Sequence, residues 1–518
     1  MTAAEVARPE TDTPDADMAT LARGGRLNIF GFVLRLAARL PFLFIAGRYY
    51  GAEALGRFAY AVLTVEFAAQ LAAFGLRRGL AQQLADAVKP HACVVADAML
   101  VAAIGSAVGM TILGVFPQAM FPNSPVYGLD WLLPVTVFAI SWTDIALAAL
   151  AYRHDVGATV RARSIVEPWA ISIAAFAFSY YSLRDGLIIS YVISMVAALF
   201  AAMIPLVRSY GLPHGWTPDL RTAWRTARRN GPLAAADAVE WASRRVDLAV
   251  LGLFLSPAFV GIYYVAQQVA SLPAKLKTSF EPVLGPVIAR NIAAGDKSAI
   301  AAQVRQVTYW IIAAQVGIAI SLSIPGRAVM GLVGSGFTGG TATLSFLLAA
   351  EVIAAAAVVS EAALIYVARH RNMAISLIML ALEAALSAVL IIAMRDAHWP
   401  LAWQATGPAI ALCLALAFAS ITKSRLLAKT LAAPVSGWRW DIGWAAAAGI
   451  AIGVPARLWL PPVLQLAIGI PAMLGAFGAV LWLKGFGPED RELFRLRKDD
   501  IEDLRAAEAR DQVADDIV

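Results

Sequence analysis

The sequence predicts an all-α polytopic membrane protein of about fourteen transmembrane helices, and three observations carry that prediction. Hydrophobic residues make up 60% of the chain and charged residues 15%, with a mean hydropathy of +0.68 that lies outside the range of soluble globular domains. Apolar runs recur at about the length of a bilayer crossing, roughly twenty residues, with short polar connections between them. Lys and Arg collect on alternate connections, as the positive-inside rule requires of a multi-spanning chain. In 518 residues this leaves no room for a large soluble domain, and the sequence shows no phosphate-binding P-loop and no metal-ligand spacing.

Taken in order, Met1 to Thr20 carries Glu5, Glu10, Asp12, Asp15 and Asp17 against a single Arg8, with Pro9 and Pro14 among them. It lacks the basic start and apolar core of a cleavable signal and reads as a disordered cytoplasmic tail over 1–22. Apolar runs bounded by turn and charge signals then place helices near 26–47, 55–76, 92–116, 130–151, 164–182 and 186–207. The longest connection, with Pro213, Gly215 and Pro218 followed by a basic run, reads as a cytoplasmic linker over 208–230. Further helices fall near 231–254, 258–288, 305–325, 341–367, 373–394, 401–422, 441–459 and 463–484. The reading is therefore two six-helix bundles, 23–207 and 231–424, followed by two appended helices in 425–484 and an amphipathic cytoplasmic tail over 485–518.

Charge tests that topology. With the N-terminus cytoplasmic, the inner connections hold Arg77, Arg78 and Lys89, then Arg153, Arg161 and Arg163, then Arg208, Arg221, Arg225, Arg228 and Arg229. Arg290, Lys297, Arg305, Arg369, Arg371, Lys423, Arg425, Lys429 and Arg439 continue the pattern. The outer loops hold only Arg48, Arg57, Arg184, Arg327, Arg395 and Arg457. An even number of helices with both termini cytoplasmic follows. The net charge of +6 is thus membrane topology rather than a nucleic-acid footprint. Cys93 and Cys413 match no redox or metal pattern and read as packing residues.

One predicted helix breaks the apolar rule. The stretch 231–254 carries Asp237, Glu240, Arg244, Arg245 and Asp247. Each such group costs roughly 2.5 to 3.5 kcal/mol at the centre of a membrane helix, so they must face protein or water. On a continuous helix Asp237, Glu240, Arg244 and Asp247 form one stripe at about 0°, 300°, 340° and 280°, with Arg245 about 100° from Arg244. Shifting the chain by 205 residues sets Arg39 on Arg244, Gly47 on Gly252, Gly56 on Gly261 and Arg35 on Glu240. Asn28, Arg35 and Arg39 also share one helical face, which suggests two halves built alike around one cavity.

The pattern GRLNIFGFVLRLAARLPFLFIAGRYYGAEALGRFAYAVLTVEFAAQLAAFGLRRGL resembles the opening helix pair of polysaccharide transporters, the lipid-linked oligosaccharide flippases of the superfamily that also holds multidrug and toxin exporters. The residues that carry the resemblance are Arg48, Gly51, Leu55, Gly56 and Phe58 in the outer loop and the basic turn at Arg77 and Arg78. It implies two six-helix bundles in a V around a central cavity, in a bacterial cytoplasmic membrane. The implied substrate is an oligosaccharide on an undecaprenyl diphosphate, moved to the outer leaflet for cell-surface polysaccharide biosynthesis. A polysaccharide polymerase or other assembly proteins are the implied partners besides membrane lipids. No catalytic residue, metal or cofactor is implied.

A diphosphate must exchange its hydration for fixed donors, and the planar fork of arginine serves best. Arg35, Arg39, Arg244 and Lys275 are the candidate substrate-binding residues. Asp237, Glu240, Asp247 and Glu66 are candidates for ion pairing with them or for coupling to a cation, and a static ion network that only holds the bundles together is the competing reading. Asp144, Glu351, Glu361 and Glu383 are further acids embedded in apolar runs. Tyr60, Tyr263, Tyr264, Gln267 and Gln268 could meet sugar. A cation-coupled multidrug exporter of the same fold is the alternative function. A membrane glycosyltransferase, polymerase or ligase fits less well, because the outer loops are short and His398 is their only histidine.

Overall fold

The computed structural model describes residues 40–279, 287–288, 290–292, 295–487 and 490, and among these it is helical without a strand. After one π-helical turn at Ala46–Tyr50, the first half of the chain gives α1 (Gly51–Ala72), α2 (Leu76–Ala85), α3 (His91–Val115), α4 (Val135–Tyr152), α5 (Glu167–Ser179) and α6 (Gly186–Tyr210). The middle gives α7 (Leu220–Ala242), α8 (Val246–Phe254) and α9 (Pro257–Ser279). Then follow α10 (Lys297–Ser323), α11 (Gly326–Val333), α12 (Thr341–Val367), α13 (Arg369–Asp396), α14 (Gly407–Leu431), α15 (Trp440–Trp459) and α16 (Ile470–Val480).

Ten helical stretches among the described residues are long and apolar enough to cross a membrane. The expected total of fourteen includes a helix near 26–47, which lies outside the described residues up to 39, as do the tails 1–22 and, apart from 485–487 and 490, 485–518. Most predicted helices are found within a few residues of their expected ends.

Three differences have physical causes. The expected linker over 208–230 is helical from Leu220 onward, because Asp219 caps the helix by accepting hydrogen bonds from the backbone N–H of Arg221 and Thr222 at 3.0 and 3.1 Å. The expected continuous helix over 231–254 is broken at 243–245. There the backbone N–H groups of Arg244 and Arg245 bond back three residues, to Trp241 and Ala242, and the Ser243 hydroxyl donates to the carbonyl of Glu240 at 2.8 Å. The helix expected at 164–182 instead begins at Val156 and passes through a π-helical stretch, Val160–Val166, before α5.

Within the first half, α4 and α5 pack on α6, and α1 packs on α3 and α4. In the second, α14 packs between α12 and α13, and α10 lies against α12. The two halves meet along α1 and α9. One buried core runs through this seam, with Leu55, Phe58 and Val65 from α1 and Val260, Tyr263 and Val265 from α9. α7 packs on α1, α2 and α3, whereas α8 packs on α13 and α14. The final pair, α15 and α16, sits on α10. It is tied there by Asp490, which accepts hydrogen bonds from the Trp310 indole and the Arg439 guanidinium, each at 2.8 Å.

Candidate functional site

The charged stripe of the middle helices faces α1 and α2, and each acid on it has a different environment. Arg78, the third residue of α2, reaches Asp237 with Nε at 3.1 Å and pairs through Nη2 with Glu240. Asp237 is 1% exposed, and neither of its oxygens gains an aligned hydrogen bond in return. The second oxygen of Glu240 pairs with Arg244 one turn on, at 3.0 Å. Arg244 itself is 63% exposed and local in its pairing. Near the same end of the seam, Arg229 of α7 meets Asp86 at 2.9 Å.

The break at 243–245 decides what comes next. On a continuous helix Arg245 would sit off the stripe. Instead its backbone is non-helical, and its guanidinium turns onto Glu66 of α1 at 3.1 Å. Asp247, at the start of α8, is buried. It accepts hydrogen bonds from the Tyr263 hydroxyl at 2.7 Å, the Gln267 amide at 3.1 Å and its neighbouring backbone N–H at Leu248. Glu383 of α13 lies within electrostatic reach of Asp247, is 1% exposed, and its Oε2 has no hydrogen-bond partner among the described residues.

Two other embedded acids, Asp144 and Glu361, are held within their own halves. Asp144 and Glu167 clamp Arg163, the latter at 2.7 Å. The sequence places Arg163 on an inner connection, but the π-helical stretch carries it into the bundle. Glu361 pairs with Lys423 at 2.8 Å, and Lys423 also donates to Ser376. Of the expected sugar-facing groups, Tyr263 and Gln267 are engaged with Asp247, and Tyr60 packs its ring against Gly252.

Arg35 and Arg39 lie outside the described residues, and so does the side chain of Lys275, whose backbone belongs to α9. Of the predicted set, the structure links Asp237, Glu240 and Arg244 through Arg78, sets Glu66 on Arg245, and keeps Asp247 apart with Tyr263 and Gln267; Arg78, Arg245 and Glu383 are the added residues. Chemically the arrangement holds several half-exposed guanidinium groups against carboxylates that an anion could displace.

A family model described as "Polysaccharide biosynthesis protein" matches residues 29–292. Among solved structures, "Lipid II flippase MurJ, inward closed conformation" is 12% identical with a TM-score of 0.65, over 90% of this chain and 98% of that one. An inward-facing multidrug resistance MATE family transporter of the MOP superfamily is 12% identical with a TM-score of 0.60, over 77% of this chain and 94% of that one. A MOP superfamily transporter from Pyrococcus furiosus, described by the reversed polarity of its binding pocket, is 13% identical with a TM-score of 0.52, covering 82% and 97% of the two chains. At these identities the likeness is one of fold. No curated protein matches the sequence.

Proposed function

This chain belongs to the polysaccharide biosynthesis protein family, and from that premise we propose that it carries an undecaprenyl-diphosphate-linked oligosaccharide from the cytoplasmic to the outer leaflet of a bacterial inner membrane. The observation that carries this reading is the set Arg78, Arg244 and Arg245, drawn from α2 and the 243–245 turn, where the two halves meet. Each is paired with a carboxylate and each is between 33% and 63% exposed. A diphosphate offers the same bidentate acceptor geometry as those carboxylates with more charge, so it can exchange with them without leaving a guanidinium unpaired. Arg35 and Arg39, which the 205-residue shift makes the equivalents of Glu240 and Arg244, and Lys275 are the further residues assigned to the headgroup site. The lobes 23–207 and 231–424 alternate around it, and the pair in 425–484 serves the polyprenyl tail.

Coupling falls to Asp247 and Glu383. Both carboxylates are buried on helices that pack together, one proton or one small cation cancels one of their two charges, and loading that cation changes the charge of α8 against α13. Glu66, Asp237 and Glu240 act as the exchangeable partners of the arginines. Polymerase or assembly proteins would receive the exported unit.

The test is translocation of a fluorescent undecaprenyl-diphosphate oligosaccharide in vesicles holding the purified protein. Arg245→Ala and Arg78→Ala should each lower the rate at least ten-fold at equal protein content, and Arg245→Lys should recover part of it. Full translocation in both alanine variants sinks the reading. The described carboxylates of the seam outnumber its arginines, which favours a second reading as a cation-coupled exporter of cationic molecules. Uptake of a cationic dye with no glycolipid movement selects that one.

A further inference from the structure

At the end of the seam that charge bias places outside, a loop side chain spans the two halves beside the α1–α9 packing and the hydrogen bond that the Arg48 guanidinium donates to the carbonyl of Leu332 at 3.2 Å. The loop between α3 and α4, residues 116–134, is fastened to the first half. Arg57 of α1 pairs with the fully buried carboxylate of Asp130 and donates to the carbonyl of Pro125 at 2.8 Å. Its guanidinium lies over the Phe121 ring at 4.3 Å, and Thr64 donates to the carbonyl of Ala119 at 3.1 Å. From this anchored loop Asn123 reaches the second half. Its amide donates both protons, to the carbonyl of Gly252 at 2.7 Å and to that of Leu255 at 3.1 Å.

Those two carbonyls belong to the last turn and the cap of α8, where a helix leaves its carbonyl groups without partners of its own. In the first half, by contrast, the loop makes a buried ion pair, a ring contact and several hydrogen bonds. The strengths are unequal, so a separation of the halves breaks at Asn123 and leaves the loop on α1.

We propose that the 116–134 loop is the bolt of the outer gate, with Asn123 as its moving tip. When the halves part toward the outside, the C-terminal carbonyls of α8 exchange Asn123 for water, and the cleft between Tyr60, Phe121 and Val260 opens. On closing, the amide caps α8 again. The bolt carries no charge across the seam, so its strength is independent of salt.

The experiment uses the full chain with Cys93→Ala and Cys413→Ala and one reporter, Val260→Cys. Val260 is buried on α9 and lines the same cleft. Labelling by a membrane-impermeant maleimide added from outside reads gate opening and needs no substrate, so its failure would leave the headgroup reading untouched. Asn123→Ala and the near-isosteric Asn123→Asp both remove the two donated hydrogen bonds, and each should speed labelling roughly ten-fold. Equal rates in parent and both variants overturn the proposal. As a check independent of variant folding, Asn123→Cys with Leu255→Cys, bridged by a short bismaleimide in the absence of the 260 reporter, should stop glycolipid export, whereas export at the unbridged rate overturns the proposal.

Discussion

The two ends of the seam close by opposite means. At the outer end Gly56 of α1 lies against Gly261 of α9. A Cβ on Gly56 would stand 1.7 Å from the carbonyl oxygen of Pro257 and 2.5 Å from the nitrogen of Gly261, and one on Gly261 would stand 2.0 Å from the carbonyl oxygen of Ala52. Backbone meets backbone, the Asn123 bolt adds neutral hydrogen bonds, and the guanidinium of Arg48 donates across the seam to the carbonyl of Leu332. At the inner end, α2 and α7 are joined by Arg78 with Asp237 and Glu240, by Arg229 with Asp86, and α1 to the turn by Arg245 with Glu66. One closure depends on shape and the other on charge. Only the charged one can be opened by an anionic ligand, as the proposed loading of a diphosphate from the cytoplasm requires.

Breaking the shape-dependent end should have the largest effect. Gly56→Val forces α1 and α9 apart, and overpacking of this kind costs about 1 to 3 kcal/mol or more. Outer labelling of Val260→Cys should rise by well over ten-fold and transport should cease, and a variant that stays sealed would show that glycine contact is dispensable. Next, Arg245→Ala leaves Glu66 without its guanidinium. Both groups are about a third exposed, so the loss of stability is about 1 to 2 kcal/mol, below that of a fully buried pair. A shift of the thermal unfolding midpoint in detergent measures it, and Glu66→Gln in the same background should recover most of it.

Salt separates the two ends directly. A thiol at the inner end, Asn230→Cys, sits buried against Gly79. Its labelling from the inner side should rise several-fold as ionic strength goes from about 0.05 to about 0.5 M. Labelling of Val260→Cys from outside should stay flat over the same range. Arg244→Ala is the smallest perturbation. Its pair with Glu240 is local and exposed, worth about 0.3 to 0.5 kcal/mol, so the unfolding midpoint should barely move. A large fall in translocation with that unchanged stability would assign Arg244 to the headgroup.

How much of this could be read beforehand follows from what each feature depends on. Gly56 and Gly261 emerge as equivalent under the 205-residue shift, and the structure sets them face to face, as equivalent residues on a pseudo-two-fold axis must be. The acids at Asp237, Glu240 and Asp247 were legible because charge inside an apolar run has few explanations. Arg245 was not, since helical projection assumes an unbroken helix and the turn at 243–245 resets the phase. Arg163 escaped for a related reason, the π-helical stretch that carries a residue of an expected connection into the bundle. Asn123 gives no sequence signal at all. An asparagine in a turn-rich loop is ordinary, and its partners are backbone carbonyls from 129 and 132 positions away.

The turn between α7 and α8 joins a segment seated on α1, α2 and α3 to a segment seated on α13 and α14. While the inner ion pairs hold, any tilt of one set of helices against the other is concentrated in those few residues, because both flanking segments are braced. Arg244 and Arg245 occupy the turn itself. Their reach is therefore geared to the tilt: in the transport cycle proposed above, the same pivot that admits a cargo re-aims the groups assigned to grip it, and grip and release need no separate signal.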